Sequence, residues 1–243
     1  MLIKLEKPQL LSKVIDIISE LVTEVRIKVN EFGMSIVAID PANVAMIGFK
    51  LPKSAFSQFE IGASNEVLGI NLDSLKRILK RCGAGSSLIL ERKENLLNLL
   101  IQDRIRRNFS LNLIEIESED KDMPSLEYSS KVELNSGDFV DSVEDCAVVG
   151  DACAFIIENE KFIIESKGIN SARSEFSGDE AKIEAEICKS KYSLEYLQKF
   201  LKASKLFEKT NLNFANDHPL NMIFKNQDME LSFILAPRVE TED

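Results

Sequence analysis

Histidine is nearly absent from this 243-residue chain, His218 being the only one. A Ser-His-Asp or Cys-His constellation would have to use it, yet it stands before Pro219 at the edge of a strand-like run, the place of a turn residue. Cysteine is scarce too. Cys82, Cys146, Cys153 and Cys188 lie far apart and never form a Cys-x-x-Cys pair, so buried reduced thiols are expected in place of a disulfide frame or a zinc site. No apolar run reaches the length that spans a bilayer. The opening Met-Leu-Ile-Lys-Leu-Glu-Lys-Pro has no charged head followed by a long apolar stretch, so an intracellular protein without membrane span or signal peptide is expected. A phosphate loop is missing as well: Gly83-Ala84-Gly85-Ser86-Ser87 follows a helical stretch, precedes a strand and has no lysine in place, the reverse of a P-loop. The carboxylates from Glu115 to Asp122 fall in an aperiodic segment and read as a solvated acidic stretch rather than a metal site. No catalytic residue, metal ligand or cofactor is expected.

Positive charge is the minority sign, with 30 Lys and Arg against 40 Asp and Glu and a net charge of -10. One stretch runs against that balance. From Gly69 to Cys82, Leu72, Leu75, Ile78, Leu79 and Cys82 recur at helical spacing, while Lys76, Arg77, Lys80 and Arg81 fall on the other side. This is a helix with a basic face. A solvated outer face explains it; so does a surface presented to phosphates, since an acidic protein that gathers cations in one place sets up a local attractive field.

The composition, 44% hydrophobic and 29% charged, is that of a folded soluble protein, and the length suits one large domain or two ordinary ones. Met1 to Leu5 reads as a strand, and Pro8 opens a helix that turns Leu10, Leu11, Val14, Ile17, Ile18 and Leu21 inward, with Lys13 and Asp16 outside. Strands follow at Val25 to Asn30 and Met34 to Ile39, joined at Gly33, then at Val44 to Leu51 and around Val67. After the basic helix come Ser86 to Arg92, Leu96 to Gln102 and Ile105 to Leu113. Ile114 to Tyr128 lacks periodicity and contains Met123-Pro124, so it reads as a linker.

Beyond the linker the pattern recurs. Leu11, Ile15, Ile18, Leu21, Val25, Ile27, Val29, Met34 and Ile36 are answered 128 positions later by Phe139, Val143, Cys146, Val149, Cys153, Phe155, Ile157, Phe162 and Ile164. Leu75, Arg77, Ile78, Leu79 and Lys80 match Leu197, Lys199, Phe200, Leu201 and Lys202 at an interval of 122. The expected architecture is α+β: two similar domains, 1–113 and 130–243, joined by a linker at 114–129. Each has two helices packed on antiparallel sheets.

At Gly33-Met34-Ser35-Ile36 through Asp40-Pro41-Ala42-Asn43-Val44-Ala45-Met46, at Gly69-Ile70-Asn71-Leu72 through Ile78-Leu79-Lys80, at Ser136-Gly137-Asp138-Phe139 and at Leu235-Ala236-Pro237-Arg238-Val239-Glu240, the chain resembles the sliding clamps of archaea and eukaryotes, the proliferating cell nuclear antigen family. Its compact length and Asp-Pro-Ala-Asn-Val are more archaeal than eukaryotic. The resemblance implies the DNA clamp fold, a closed ring of three subunits with helices lining a central hole, and no catalytic activity. It implies duplex DNA held without regard to sequence, an ATP-dependent clamp loader, and polymerase, flap endonuclease and ligase as partners engaged through short peptide motifs. The expected location is cytoplasmic and nucleoid-associated in an archaeon, nuclear in a eukaryote.

By the same resemblance Lys13, Arg77, Lys80 and Lys202 match basic inner positions, and Lys76, Arg81, Lys199 and Lys205 extend those faces by helical spacing. The partner-peptide surface comprises Ile39, Asn43 and Met46, then Met123, Pro124, Leu126 and Tyr128 of the linker, then Pro219, Ile234, Leu235, Ala236 and Pro237. Ordinary core and linker packing is the other reading of those apolar residues. Subunit contacts fall on Arg106, Arg107, Phe109 and Leu111 in one strand and Ser171, Arg173 and Glu175 in another, both expected as sheet edges. The third helix departs from the family pattern, with Asp138, Asp141, Glu144 and Asp145 where relatives place some cations. A homotrimer that tolerates them and a heterotrimer with paralogues are both open, as is a clamp of the same fold in damage signalling.

Overall fold

The computed structural model describes residues 1–62, 65–117 and 121–239, and the chain forms two compact units. The first comprises Met1–Pro41, Ile47–Met123 and Gln227–Glu230. In chain order it contains β1 (Leu2–Leu5), α1 (Gln9–Ile18), β2 (Glu24–Asn30), β3 (Gly33–Ile39), β4 (Ala45–Pro52), β5 (Gln58–Glu60), β6 (Glu66–Asn71), α2 (Leu72–Leu79), β7 (Ser87–Lys93), β8 (Leu96–Gln102) and β9 (Arg106–Asn112). The first two residues of β4 belong to the second unit. One sheet runs β5-β1-β7-β8-β9, the other β4-β3-β2-β6.

Local chemistry sets these boundaries. Gly33 closes the β2–β3 hairpin at φ +138°, and a Cβ there would sit 2.2 Å from the Leu51 carbonyl, so both backbone angle and space demand glycine. The basic helix is shorter than its periodicity suggests. Gly69 to Asn71 end β6, paired with Glu24 to Arg26 of β2, and the Asn71 side chain accepts the Ser74 N–H at 3.1 Å to cap a helix that begins only at Leu72. The helical stripe does start at Leu72, but it ends at Leu79 in place of Cys82. The short strand β5 carries no period-2 signal of its own and was not foreseen.

The second unit comprises Ala42–Met46, Pro124–Asn226 and the chain from Leu231. It holds β10 (Ser130–Asn135), α3 (Ser136–Val149), β11 (Ala152–Glu158), β12 (Lys161–Lys167), β13 (Ser171–Phe176), β14 (Ala181–Ala185), β15 (Cys188–Ser193), α4 (Leu194–Ser204), β16 (Lys209–Phe214), β17 (Leu220–Lys225) and β18 (Glu230–Leu235, Glu230 itself counted with the first unit). Its strands run β14-β10-β16-β17-β18 and β13-β12-β11-β15.

The repeat is therefore structural. β2 and β11, and β3 and β12, begin and end 128 positions apart, and α2 and α4 begin 122 apart. Even the helix entry is copied: Leu72 N–H donates to the Thr23 carbonyl at 2.8 Å, and Leu194 N–H to the Asp151 carbonyl at 3.0 Å. In each unit the helix pair packs together, and the apolar stripe, Leu11, Val14, Ile15 and Ile18 on α1 or Phe139, Val143 and Cys146 on α3, is buried. All four cysteines are free thiols, three of them buried.

The cores differ in kind. The first unit is largely aliphatic, while in the second the Phe155 ring touches Phe139, Phe162, Tyr192 and Phe214 at centroid distances of 6.1, 5.6, 5.2 and 6.0 Å. Phe155 is fully buried. Phe155→Ala empties the centre of four ring contacts, and a loss of about 3–5 kcal/mol in urea unfolding is expected; a loss below 1 kcal/mol would refute its central role.

Candidate nucleic-acid and partner interfaces

Burying one side of a helix dictates where its charges go. On α2, Arg77 and Lys80 are exposed, and Arg81 follows in the turn beyond the helix. Arg77 Nε donates to the Asp73 carbonyl at 3.2 Å, folding that side chain along its own helix. Lys13 on α1 is exposed. Lys76 differs from its neighbours: its Nζ lies 2.8 Å from Asp16 Oδ1 and 3.0 Å from Ser19 Oγ on the α1 side, and Lys80 approaches the same carboxylate at 3.4 Å. The hydrogen bond from Lys76, aided by Lys80 and opposed by partial burial, holds the Asp16 carboxyl below the usual carboxylate range. Lys76 thus ties α2 to α1.

In the second unit Lys199, Lys202 and Lys205 mark the outer side of α4. Lys199 lies 3.2 Å from Glu195 and 5.0 Å from the Tyr196 ring centroid, and Lys205 lies 4.0 Å from Glu144 of α3. Asp138, Asp141, Glu144 and Asp145 are all exposed on α3. This helix pair carries more carboxylates than cations on its solvent side, the reverse of α1 and α2.

Of the residues assigned to partner peptides, Asn43, Met46, Pro124, Leu126, Tyr128, Pro219, Ile234, Leu235, Ala236 and Pro237 belong to the second unit. Ala236 N–H donates to the Val44 carbonyl at 2.9 Å, which joins the end of β18 to the turn bearing Asn43, just before Met46 in β4. Asn43 takes φ 56°, a left-handed turn angle that asparagine tolerates. The Tyr128 ring meets His218 edge-on at 5.4 Å, beside Pro219, and burial pushes its hydroxyl up to about 12 against the pull of the Asn221 side chain. Met46, Leu126, Tyr128, Pro219, Ala236 and Pro237 are half-buried, whereas Leu235 is fully buried and packs the core. Ile39 and Met123 fall in the first unit, where Ile39 lines a cleft of about 330 Å³ with Val25 and Ile116. Linker residues Glu119 and Asp120, and Glu240 of the tail, lie outside the described residues.

The assigned subunit contacts lie on two sheet edges. β9 pairs with β8 and ends one five-stranded sheet; β13 pairs with β12 and ends a four-stranded one. Their arginines are less available than the sequence suggests. Arg107 is spent on Asp103 and on the Arg81 carbonyl at 3.0 Å. Arg173 is gripped by Glu165, Glu158 and Glu175 at 2.8, 3.0 and 2.9 Å. Burial works to raise the Glu165 carboxyl, but Lys167 and Arg173 together keep it below its ordinary range. What the edges offer outward is main chain, Arg106, Ser171 and the half-buried Phe109 and Leu111. Ile105, expected inside the edge strand, precedes β9 and is 59% exposed, and Ile169, which sequence reading missed, lies in the turn before β13 and is 105% exposed. Their signal was apolar side chains in turn positions, where nothing inside needs them.

Residues 1–122 match the N-terminal domain of proliferating cell nuclear antigen and residues 122–239 its C-terminal domain. The DNA polymerase sliding clamp of Pyrococcus furiosus is 35% identical over 237 residues, covering 94% of both chains. That of Methanococcus maripaludis is 31% identical over 240 residues, covering 94% of this chain and 95% of its own. The proliferating cell nuclear antigen of Entamoeba histolytica has the same fold, with a TM-score of 0.90 over 98% of both chains at 23% identity.

Asp16→Asn removes the link between α1 and α2. Because its carboxyl is depressed in the folded state, Asp16 stabilises above the ordinary carboxylate pKa, and the contribution vanishes as pH falls through the folded value. The variant should lose less than about 1 kcal/mol at pH 7, given solvent screening, and match the parent near pH 2. Urea melts at both pH values check this; an equal deficit at both would show that the ion pair is not the cause.

Proposed function

Because the chain belongs to the proliferating cell nuclear antigen family, we propose that it is a DNA sliding clamp, a binding scaffold and not an enzyme, which closes into a ring around duplex DNA and tethers DNA polymerase. The observation that carries this reading is the helix pair α1–α2: in a chain of net charge -10, Lys13, Arg77, Lys80 and Arg81 stand exposed together in the first unit. Cations on helical scaffolds meet phosphates without reading bases, and such contacts are mobile and salt-sensitive, as a sliding protein requires. The acidic remainder discourages nucleic acid from settling elsewhere.

Flap endonuclease, ligase and the clamp loader are the further partners of this reading. They engage through short peptides at Met46, Leu126, Tyr128, Pro219 and Ala236, which combine half-buried apolar side chains with an extended linker that offers main-chain hydrogen bonds. Ring closure pairs β9 of one copy with β13 of the next. Both edges have unsatisfied main-chain groups on one side, and Ile105 and Ile169 add apolar surface beside them.

A second reading of the assembly follows from α3. Three copies would present Asp138, Asp141, Glu144 and Asp145 to one duplex, which favours a ring shared with paralogues whose third helix is basic. Light scattering on the purified protein decides between the two: a stable trimer at low micromolar concentration removes the need for paralogues.

Retention on closed circular DNA after loading, and release once the circle is cut, is the expected behaviour of the clamp; equal retention on linear DNA would overturn it. Combining Arg77→Glu with Lys80→Glu should cut loaded complexes about tenfold or more at moderate salt with no change in assembly mass. Met46→Glu should weaken a flap-endonuclease C-terminal peptide at least about tenfold in calorimetry, again with the assembly intact, since a charge replaces a buried apolar contact. Unchanged peptide affinity would move the partner site elsewhere.

A further inference from the structure

Two buried thiols of the second unit meet and have no part in any of these roles. Phe139 of α3 rests edge-on against Phe155 of β11 at a centroid distance of 6.1 Å, which fixes how this helix lies on this strand. Cys146 stands about two turns further along the same buried stripe of α3, and Cys153 lies two residues back on the same face of β11. Because α3 leads into β11 through the turn at Gly150 and Asp151, both steps run toward that turn and bring the two side chains together. The sulfurs are hydrogen-bonded to each other. That bond pulls the Cys146 thiol below its ordinary range against the effect of burial, and it raises Cys153, where burial acts in the same direction.

The first unit has no such pair at the equivalent place. The residues 128 positions earlier are Ile18 and Val25, both buried, so two apolar side chains fill the same packing there. The second unit has thiols at both members of that one contact. Of the other cysteines, Cys82 belongs to the first unit, and Cys188 on β15 lies 3.0 Å from Ser130 Oγ. Cys146 and Cys153 are closed off from solvent, but Cys146 sits in the last turn of α3, beside the exposed Val148, Gly150 and Asp151. Helix ends open locally at a small fraction of the cost of global unfolding, which gives a small neutral oxidant its route to Cys146.

We propose that Cys146 and Cys153 are a redox pair, which hydrogen peroxide converts to a disulfide tying the last turn of α3 to the start of β11, and which a dithiol reductant restores. The Cys146 thiolate attacks one peroxide oxygen: the S–O bond forms, the O–O bond breaks, and the departing hydroxide leaves as water with the proton that Cys146 released. Cys153 then attacks the sulfur of the resulting sulfenic acid. The S–S bond forms, the S–O bond breaks, and a second water carries away the Cys153 proton, so that the two sulfurs are oxidised by the two electrons that the peroxide gains. The cross-link closes a short loop, limits the freedom of the unfolded chain, and fixes the helix end that bears Glu144 and Asp145.

Intact mass spectrometry of the reduced chain before and after peroxide tests this, with the remaining thiols blocked by N-ethylmaleimide in denaturant. The oxidised chain should take up two maleimides where the reduced chain takes up four. Asp-N digestion, which cuts before Asp151, should then yield a linked pair of peptides holding Cys146 and Cys153, separated by dithiothreitol. The melting temperature should rise by about 5 °C on oxidation and return on reduction. Cys146→Ser and Cys153→Ser should each abolish the linked peptides and the rise, while Cys82→Ser combined with Cys188→Ser should leave both in place. If the serine variants fail to fold, as judged by melting in reducing buffer, Cys146→Ile with Cys153→Val, the pair found in the first unit, carries the same test. A product that gains oxygen without a linked pair, a link through Cys82 or Cys188, or a link that forms only in the unfolded chain overturns the proposal. So does oxidation that leaves the melting temperature unchanged.

Discussion

Burial of one apolar stripe per helix against antiparallel strands, made twice in a single chain, is the constraint on which everything else depends. Once Leu72, Leu75 and Leu79 are inside, Arg77 and Lys80 fall on the exposed side, and so does Lys202 of α4 once Leu197, Phe200 and Leu201 are buried. No specific contact has to aim these cations. The hydrophobic effect does so indirectly.

The repeat keeps geometry while chemistry drifts. Equal strand lengths and the duplicated hydrogen bonds at Leu72 and Leu194 show that backbone register has been held in both units. The interior has moved from aliphatic packing to a cluster of rings around Phe155, and the first helix's surface from the mixed Lys13 and Asp16 on α1 to the acidic Asp138, Asp141, Glu144 and Asp145 on α3. A core tolerates such exchange when volume and pattern persist. A helix surface tolerates it more freely, since no packing holds it, which leaves surface charge to follow function.

Ion pairing redistributes the formal charges. Asp16 draws Lys76 out of the basic face and makes it a strut between helices, and three carboxylates immobilise Arg173 on an edge strand. The cation of Arg173 therefore stiffens β13 from within its own sheet instead of reaching outward. What the two edges leave exposed is main chain and the flanking Ile105 and Ile169.

Periodicity alone determined the helices, the order of strands in the first half apart from β5, the duplication at 128 and 122 positions, the inward stripes and the cations that lie outside them. These follow from local side-chain spacing, which the chain carries in itself. The start of α2 at Leu72 was decided by tertiary pairing, because β2 claims Gly69 to Asn71 before the helix can. Likewise, which cations remain available depended on partners distant in sequence, Asp16 for Lys76 and the Arg81 carbonyl for Arg107. The meeting of Cys146 with Cys153 exists only once α3 is laid back over β11. Spacing along a strand tells which residues share a face; only the fold tells what stands beside them.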